Sequence, residues 1–224
     1  MLRLLLAVAC LLGCQPVAAQ SLPIAVDVVE PEPQLQTILL TGGGKAKVAQ
    51  VTLDVAITTE AAMALASTLR SLPSDLDYVV LVIDSPGGFL GSAREISRII
   101  ESHPQRLVCL VDGLAASGAY YLLQSCQMRL MTHRSNLMLH EAFGAKADAD
   151  SESEKAALTA INLAMSYQQC HRLKIKTTEC HARYSGREWW LTADKALEVG
   201  AVDGLVDSPM QLLSLLGETP PPKE

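Results

Sequence analysis

Three short segments of the sequence carry residue types that together could transfer an acyl group. The first is residues 84–88, Asp-Ser-Pro-Gly-Gly, which follow an apolar run. Proline fixes one backbone angle, and the glycines let the chain bring bare N–H groups close to a ligand, as an oxyanion hole requires. The same segment also suits a tight strand-to-helix turn that binds no ligand.

The second segment is residues 113–120, in which Ser117 stands between alanine and glycine just after another apolar run. A serine at the first turn of a helix lies where unpaired N–H groups and the helix dipole favour a developing negative charge. Small neighbours leave room for a substrate carbonyl. The alternative is a capping serine whose small neighbours serve close packing.

The third segment is residues 137–141, where His140 ends a short apolar run. Histidine is the usual general base for a serine because its ordinary pKa lies near neutrality. The alternative is a histidine whose ring bonds to the backbone at a strand end. We interpret the remaining histidines as surface residues: His103, His133, His171 and His181.

Strand-like and helix-like patterns alternate along the chain, which predicts an α/β fold with a mainly parallel sheet. Strands are predicted at residues 37–40, 49–55, 78–84, 107–111, 128–132, 137–140 and 201–206. Helices are predicted at residues 59–72, 116–126 and 153–174, with a further helix that carries Ala93, Ile96, Ile99 and Ile100 and ends at 103. A short capped helix is predicted within residues 190–200. The polar, acidic residues 144–154 predict an exposed loop before the long helix.

The order of these segments resembles a known family. The turn, the serine segment, the histidine and the closing residues 191–203 follow one another as in the proteolytic subunit of the Clp protease, within the Clp-protease/crotonase superfamily. The resemblance covers residues 37–207. It implies repeated β-β-α units in a twisted, mainly parallel sheet flanked by helices, with a projecting helical handle at about residues 150–174 of the kind that builds oligomers in the relatives.

The resemblance also implies roles for single residues. Ser117 would be the nucleophile, His140 the base that takes its proton, and the N–H groups of Gly87 and Gly118 the oxyanion hole. The serine segment is similar to signal peptide peptidases as well, which use a serine–lysine pair. Lys146 lies too near His140 in sequence to fit that pair clearly, so this is the weaker mechanism.

The sequence departs from the family at the third member of the triad. Tyr184 occupies the position of the family's aspartate and cannot supply a carboxylate. Glu188 is the nearest acid that could replace it, and Asp148 or Asp150 could reach the histidine if their loop folds back. Losing the orienting carboxylate costs serine proteases roughly four orders of magnitude in turnover.

The beginning of the chain predicts export. Residues 1–19 combine a basic start, a short apolar run and a small-residue cleavage site, as a signal peptide does. A lipoprotein signal that leaves an acylated Cys14 is the alternative. Residues 20–36 are predicted to be an extended arm, residues 37–208 the domain, and residues 209–224 a C-terminal tail.

Four cysteines remain after such a signal, an even number that favours disulfides in an oxidising compartment. We expect Cys170 to pair with Cys180, which leaves Cys109 with Cys126. Cys109 as a buried free thiol is the alternative. The spacing of these cysteines does not suit a metal site, and we expect no metal and no cofactor.

Three functions follow from these observations. The first is an exported, ATP-independent serine hydrolase, a peptidase that acts on peptides or unfolded protein through an acyl-enzyme on Ser117. The second is a non-catalytic, oligomeric binding scaffold with a degenerate protease site, and the third is acyl-thioester chemistry like that of crotonases. The net charge of −6, with scattered Lys and Arg, argues against nucleic acid as a partner.

Overall fold

The computed structural model describes residues 37–40, 46–143 and 151–218. Its strands are β1 Thr37–Leu40, β2 Val48–Leu53, β3 Tyr78–Ser85, β4 Arg106–Ala116, β5 Met128–Thr132, β6 Asn136–Leu139, β7 Trp189–Thr192 and β8 Gly204–Val206. Its helices are α1 Thr59–Ser71, α2 Leu90–Glu101, α3 Gly118–Leu123, α4 Glu152–Cys170, α5 Thr177–Tyr184, α6 Ala193–Val199 and α7 Pro209–Glu218.

The strands form one mainly parallel sheet, which confirms the predicted α/β fold. Its order is β1-β2-β3-β4-β5-β8, and only β1 pairs antiparallel along this path. The second half of β4 turns away from β5 and pairs with β6, whose other side pairs antiparallel with β7. The first half of β4 therefore pairs with β5 and its last residues pair with β6, so the sheet splits at the carboxyl end of β4.

Side chains of the central strands alternate between two cores because successive residues of a strand point to opposite faces. In β3, the side chains of Val79, Leu81 and Ile83 join the larger core, which is covered mainly by α1, α2, α3 and α6. Those of Val80 and Val82 join a smaller core on the other face. Both faces of β3 are buried, as expected for a strand in the middle of a parallel sheet.

The smaller core corrects the expectation of a C-terminal tail from residue 209. Pro209–Glu218 is helix α7, and it buries Leu212, Leu213 and Leu216 against the sheet. The Ala46 N–H donates to the Gly217 carbonyl at 3.1 Å. The leucine spacing is that of an amphipathic helix, a signal outweighed in the sequence by the proline-rich residues that follow.

Both predicted disulfides are present. Cys109 of β4 is bonded to Cys126, just after α3, and Cys170 at the end of α4 is bonded to Cys180 of α5. All four cysteines are fully buried. The first disulfide joins the elements on either side of Ser117, and the second joins the long helix to a helix that the sequence did not predict.

Besides α7, the sequence missed α5 and β7. The long helix α4 runs from Glu152 to Cys170, shorter than predicted, and its buried residues lie near its end: Met165, Ser166, Gln169 and Cys170. Within the described residues, no helix is long and apolar enough to cross a membrane, and no cluster of three metal-ligating side chains occurs. The predicted signal peptide with Cys14, the arm, Lys146, Asp148 and Asp150 lie outside the described residues.

Candidate active site

The three predicted segments meet at one edge of the sheet. Strands β3, β4 and β6 are parallel, so their carboxyl ends point the same way. Gly87 follows the end of β3, Ser117 follows β4 and His140 follows β6. The carboxyl edge of a parallel sheet is the usual place for a ligand in open α/β folds.

Ser117 occupies a strained backbone position between β4 and α3. Its φ of 52° and ψ of −116° make it the one non-glycine residue with positive φ in the described part of the chain. Its N–H donates to the Met138 carbonyl of β6 at 2.8 Å, which fixes the turn. Such strain costs about 1–3 kcal/mol and persists only where surrounding contacts impose it.

The glycine turn packs directly against this serine. Gly87 has φ of 85°, and a Cβ at this position would lie 2.4 Å from the Ala116 carbonyl oxygen and 2.9 Å from the Ser117 Cβ. The buried Ser85 hydroxyl donates to the Val55 carbonyl at 2.6 Å and accepts from the Gly87 N–H at 3.2 Å. Ser85 therefore fixes the turn through two hydrogen bonds of its hydroxyl. Position 87 requires glycine because its φ is positive and because a Cβ would collide with the Ala116 carbonyl.

The backbone N–H groups around Ser117 differ in whether they have an acceptor. The Gly87 N–H already donates to Ser85, whereas the N–H groups of Gly88 and Gly118 have no acceptor among the described residues. A Cβ built on Gly118 would be 3.4 Å from the Gly88 nitrogen, so the two groups are neighbours. Among the described residues, the unpaired N–H groups beside Ser117 are those of Gly118, a predicted donor, and Gly88, whereas that of Gly87, the other predicted donor, bonds to Ser85.

Two polar contacts bend β4 toward the site. The Asp84 carboxylate accepts from the Leu114 N–H at 2.9 Å, and the Ser135 hydroxyl accepts from the Gly113 N–H at 2.9 Å. These bonds satisfy backbone groups that leave the ladder with β5. They let the last residues of β4 turn to β6 and bring Ser117 to the cavity.

A cavity of about 400 Å³ lies in front of the serine. It is lined by Pro86, Gly87, Gly88, Phe89, Leu90, Ser117, Gly118, His140, Ala142, Phe143 and Met165. The chain has only two phenylalanines, and both line this cavity, although 64% of Phe89 and 79% of Phe143 is exposed. Exposed apolar side chains around few polar groups are typical of a ligand site.

His140 shares this cavity with Ser117. Its ring stacks on Phe143 with centroids 5.3 Å apart, and its Nδ1 lies 2.5 Å from the Glu141 carbonyl oxygen. The Ser117 hydroxyl and the His140 Nε2 have no hydrogen-bond partner among the described residues. Catalytic hydrogen bonds are often long or misaligned before a substrate binds, so the missing bond leaves the pair a candidate.

Glu188, the predicted third residue of the triad, and Tyr184 lie on the side of β7 and α5. Glu188 is exposed and accepts from the Trp190 indole at 2.9 Å. It directly precedes β7, whose register pairs Trp189 with Leu139, so it lies opposite His140 without a hydrogen bond to the imidazole among the described residues. Tyr184 is buried, and burial together with the Glu141 carboxylate raises the pKa of its hydroxyl far above the usual value. The Tyr184 side chain is therefore a neutral phenol.

Sequence reasoning missed three residues around the histidine. The Glu141 carboxylate accepts from the Ser185 hydroxyl and the Gly186 N–H, both at 3.0 Å, and lies 3.2 Å from His181 Nε2. His181 is therefore not the surface residue that we expected. Asn162 of α4 bonds to both backbone groups of Ala142. Only adjacency to His140 in sequence could have indicated Glu141.

This arrangement defines a class of protein. A strained serine, a histidine and two unpaired N–H groups at the carboxyl edge of a parallel sheet are the parts of an acyl-transfer site. The model of the family described as Clp protease matches residues 45–209. The chain therefore belongs to the Clp protease family.

The individual relatives share less than a third of the aligned residues with this chain. The chain is 29% identical over 143 residues to the ATP-dependent Clp protease proteolytic subunit 3 of Rhodococcus jostii (strain RHA1). It is 29% identical over 138 residues to the ATP-dependent Clp protease proteolytic subunit 1 of Protochlamydia amoebophila (strain UWE25). Each match covers 58% of this chain and 66% of the relative, just under two thirds of the relative's length.

Proposed function

We propose that the protein is an exported, ATP-independent serine peptidase that cleaves peptides or unfolded protein through an acyl-enzyme on Ser117. One observation carries this proposal: the strained Ser117 faces a cavity that His140 and two unpaired N–H groups also line. Strained backbone at a functional residue is typical of a pre-organised nucleophile. Membership of the Clp protease family supports the same chemistry.

The proposed reaction uses the side chains as follows. His140 Nε2 takes the hydroxyl proton as Ser117 Oγ attacks the peptide carbonyl carbon, and the N–H groups of Gly88 and Gly118 hold the resulting oxyanion. The C–N bond then breaks, and His140 returns the proton to the leaving amine. Water, activated by the same imidazole, hydrolyses the ester and restores the serine.

Hydrolysis of a fluorogenic peptide library tests the activity. We expect the wild type to cleave some members and Ser117→Ala to cleave none of them. Ser67→Ala is the matched control, because Ser67 is exposed on α1 and does not line the cavity of Ser117. Equal hydrolysis by wild type and Ser117→Ala would rule out the proposed nucleophile.

Export to the periplasm or beyond the cell is the second part of the proposal. The two disulfides support it, because disulfides persist mainly in oxidising compartments. Mass spectrometry of the mature N-terminus distinguishes the two proposed signals. A free N-terminus at Gln20 supports signal peptide cleavage, and an acylated Cys14 supports a lipid anchor instead.

Assembly into a homo-oligomer is the third part. Helix α4 exposes 68% of Leu163, 66% of Tyr167 and 40% of Ile161. Apolar side chains of this size on one projecting helix are typical of an interface. Light scattering at micromolar concentration tests this part, and a monomeric mass would contradict it.

A second candidate function is a binding scaffold that has lost catalysis. Tyr184 favours it, because this buried phenol stands where the family's carboxylate is expected. A scaffold would bind peptides in the cavity of Ser117 without turnover. Peptide binding that is equal in wild type and Ser117→Ala, without hydrolysis by either, would favour this candidate.

A further inference from the structure

Strand β7 and the residue before it bring two side chains to the face of the sheet that carries His140. The antiparallel register pairs Leu139 of β6 with Trp189 of β7, so the next residues, His140 and Glu188, lie opposite each other. Opposite residues of an antiparallel pair share one face, with Cβ atoms about 4.5–5.5 Å apart. Successive residues of a strand alternate between faces, so Trp190 shares the face of Glu188 and Trp189 lies on the other face.

The carboxylate of Glu188 is bound at one of its oxygens. Its Oε2 accepts from the Trp190 indole Nε1–H at 2.9 Å, and its Oε1 has no hydrogen bond among the described residues. The Nδ1 of His140 lies 2.5 Å from the Glu141 carbonyl oxygen, which can only accept, so Nδ1 carries the proton of the neutral ring. The unbound Oε1 and this N–H are therefore an acceptor and a donor on opposite residues.

We infer that Trp190 is a positioning residue, which holds the Glu188 carboxylate opposite His140 so that Oε1 accepts from Nδ1 when the imidazole acts as base for Ser117. The inference rests on the proposed function, because it assigns how the base of that same site is oriented. A carboxylate bonded to Nδ1–H keeps Nε2 unprotonated and stabilises the imidazolium that forms when the serine proton is taken.

Glu188 depends on such a partner because its side chain is long and exposed. Fixing the several rotatable bonds of a glutamate costs conformational entropy, which one contact with an imidazole would have to offset. The Trp190 indole supplies a second contact from the same face. An indole N–H is a donor only, so it binds the carboxylate without competing for the imidazole proton.

The two tryptophans of the chain are adjacent, and their surroundings differ. Trp189 packs against the larger core, and the guanidinium carbon of Arg183 lies 5.6 Å from its ring centroid. In contrast, 53% of Trp190 is exposed, and its indole bonds to Glu188. Core packing therefore accounts for Trp189, whereas the carboxylate is what Trp190 contacts.

Nuclear magnetic resonance on ¹⁵N-labelled protein measures the hydrogen bond itself. The two tryptophans give two indole N–H signals, and Trp190→Phe identifies the Trp190 signal by removing it. In Glu188→Ala we expect the Trp190 signal to move upfield, because the indole loses a charged acceptor, and the Trp189 signal to stay. An unmoved Trp190 signal in the folded variant would overturn the inference.

A double-mutant cycle on the rate of fluorophosphonate labelling of Ser117 measures the role of the bond. We expect Glu188→Ala to slow labelling by roughly 1,000-fold or more. Trp190→Phe keeps an aromatic ring and removes the N–H, and we expect it to slow labelling by roughly 10-fold. In the Glu188→Ala background, Trp190→Phe should slow it no further, because the indole acts through the carboxylate.

Trp189→Phe is the matched control, because it makes the same replacement one residue away on the opposite face of β7. It should label at the wild-type rate. Circular dichroism shows that each variant is folded before its labelling rate is compared.

The inference fails if Trp190→Phe labels as fast as the wild type or faster, since a faster reaction would mean that the indole keeps the carboxylate away from His140. It also fails if Trp190→Phe slows labelling by the same factor with and without Glu188, as general damage to the fold would. Failure of the proposed function looks different, because there the Trp190 signal would still respond to Glu188→Ala while wild-type Ser117 reacts with no fluorophosphonate.

Discussion

The serine side and the histidine side of the cavity are held in different ways. Ser117 follows the buried strand β4, packs against the Gly87 turn and has a disulfide between its flanking elements, Cys109–Cys126. His140 ends a short strand, and its segment is held by side chains from α4 and from the loop after α5. Ser117 is thus fixed by backbone and core, and His140 by a few polar contacts.

This difference indicates where the site tolerates change. Core packing holds Ser117 in its strained conformation. We therefore expect this conformation to depend on the global stability of the fold. A base oriented by exposed polar contacts is expected to depend on single side chains and on pH. Variants on the two sides should therefore alter different quantities.

The largest expected effect is that of Gly87→Ala. The added Cβ would lie 2.4 Å from the Ala116 carbonyl oxygen at a φ of 85°, so the turn and Ser117 must shift. We expect a loss of about 3 kcal/mol or more in the free energy of unfolding, and no labelling of Ser117. Urea denaturation followed by circular dichroism measures the loss.

Gly91→Ala is the matched control for this variant. A Cβ on Gly91, in helix α2, would meet nothing within 4 Å. Since alanine favours a helix over glycine, we expect a gain of up to about 1 kcal/mol. Equal stability changes in the two variants would contradict the packing described for the serine side.

The next effect is the loss of the Cys109–Cys126 disulfide in the double variant Cys109→Ala with Cys126→Ala. The bond closes a sequence separation of 17 residues, and chain entropy predicts a cost of about 3 kcal/mol. Urea denaturation without reductant measures it. A cost below about 1 kcal/mol would show that the core holds β4 and α3 together without the bond.

A smaller effect is expected between two replacements of Ser117, the proposed nucleophile. Ser117→Ala keeps a side chain at a φ of 52°, whereas Ser117→Gly removes the Cβ that makes this angle costly. We expect the glycine variant to be more stable than the alanine variant by about 1 kcal/mol or more. Thermal unfolding of both proteins checks this, and a more stable alanine variant would mean that Ser117 is not strained.

The smallest effect is the pH dependence of the Glu141 contacts. Burial alone would raise the pKa of Glu141, but the Gly186 N–H, the Ser185 hydroxyl and His181 hold it below its usual value. His181 and Lys155 are the titratable groups that line the cavity beside it. Because the folded pKa is the lower one, these contacts stabilise the fold above the unfolded pKa and are lost as pH falls through the folded pKa.

Urea denaturation of wild type and Glu141→Gln between about pH 7 and about pH 3 measures this dependence. We expect the wild type to be the more stable protein at neutral pH and the difference to shrink as the solution becomes acidic. A difference that grows toward low pH would contradict the lowered pKa.

The serine side could largely be predicted from the sequence, because its determinants are local. The Pro-Gly-Gly turn, Ser117 after an apolar run and the strands around them each have a signature within a few residues. The bond from the Gly87 N–H to the Ser85 hydroxyl could not be predicted, since it forms only after the turn has folded.

The histidine side could not be predicted in the same way. Asn162 lies 20 positions along the chain from its partner Ala142, and Ser185 lies 44 positions from its partner Glu141. Such contacts arise from the packing of α4 and α5, which no local pattern specifies. Glu188 was predicted from the sequence, but its bond to the Trp190 indole was not.

The central claim is that Ser117 is an activated nucleophile with His140 as its base. Intact-protein mass spectrometry after fluorophosphonate treatment tests it most directly, with wild type, Ser117→Ala and His140→Ala treated side by side. We predict a single adduct on the wild type and none on either variant. An unmodified wild type, or an adduct that persists in Ser117→Ala, would contradict the claim.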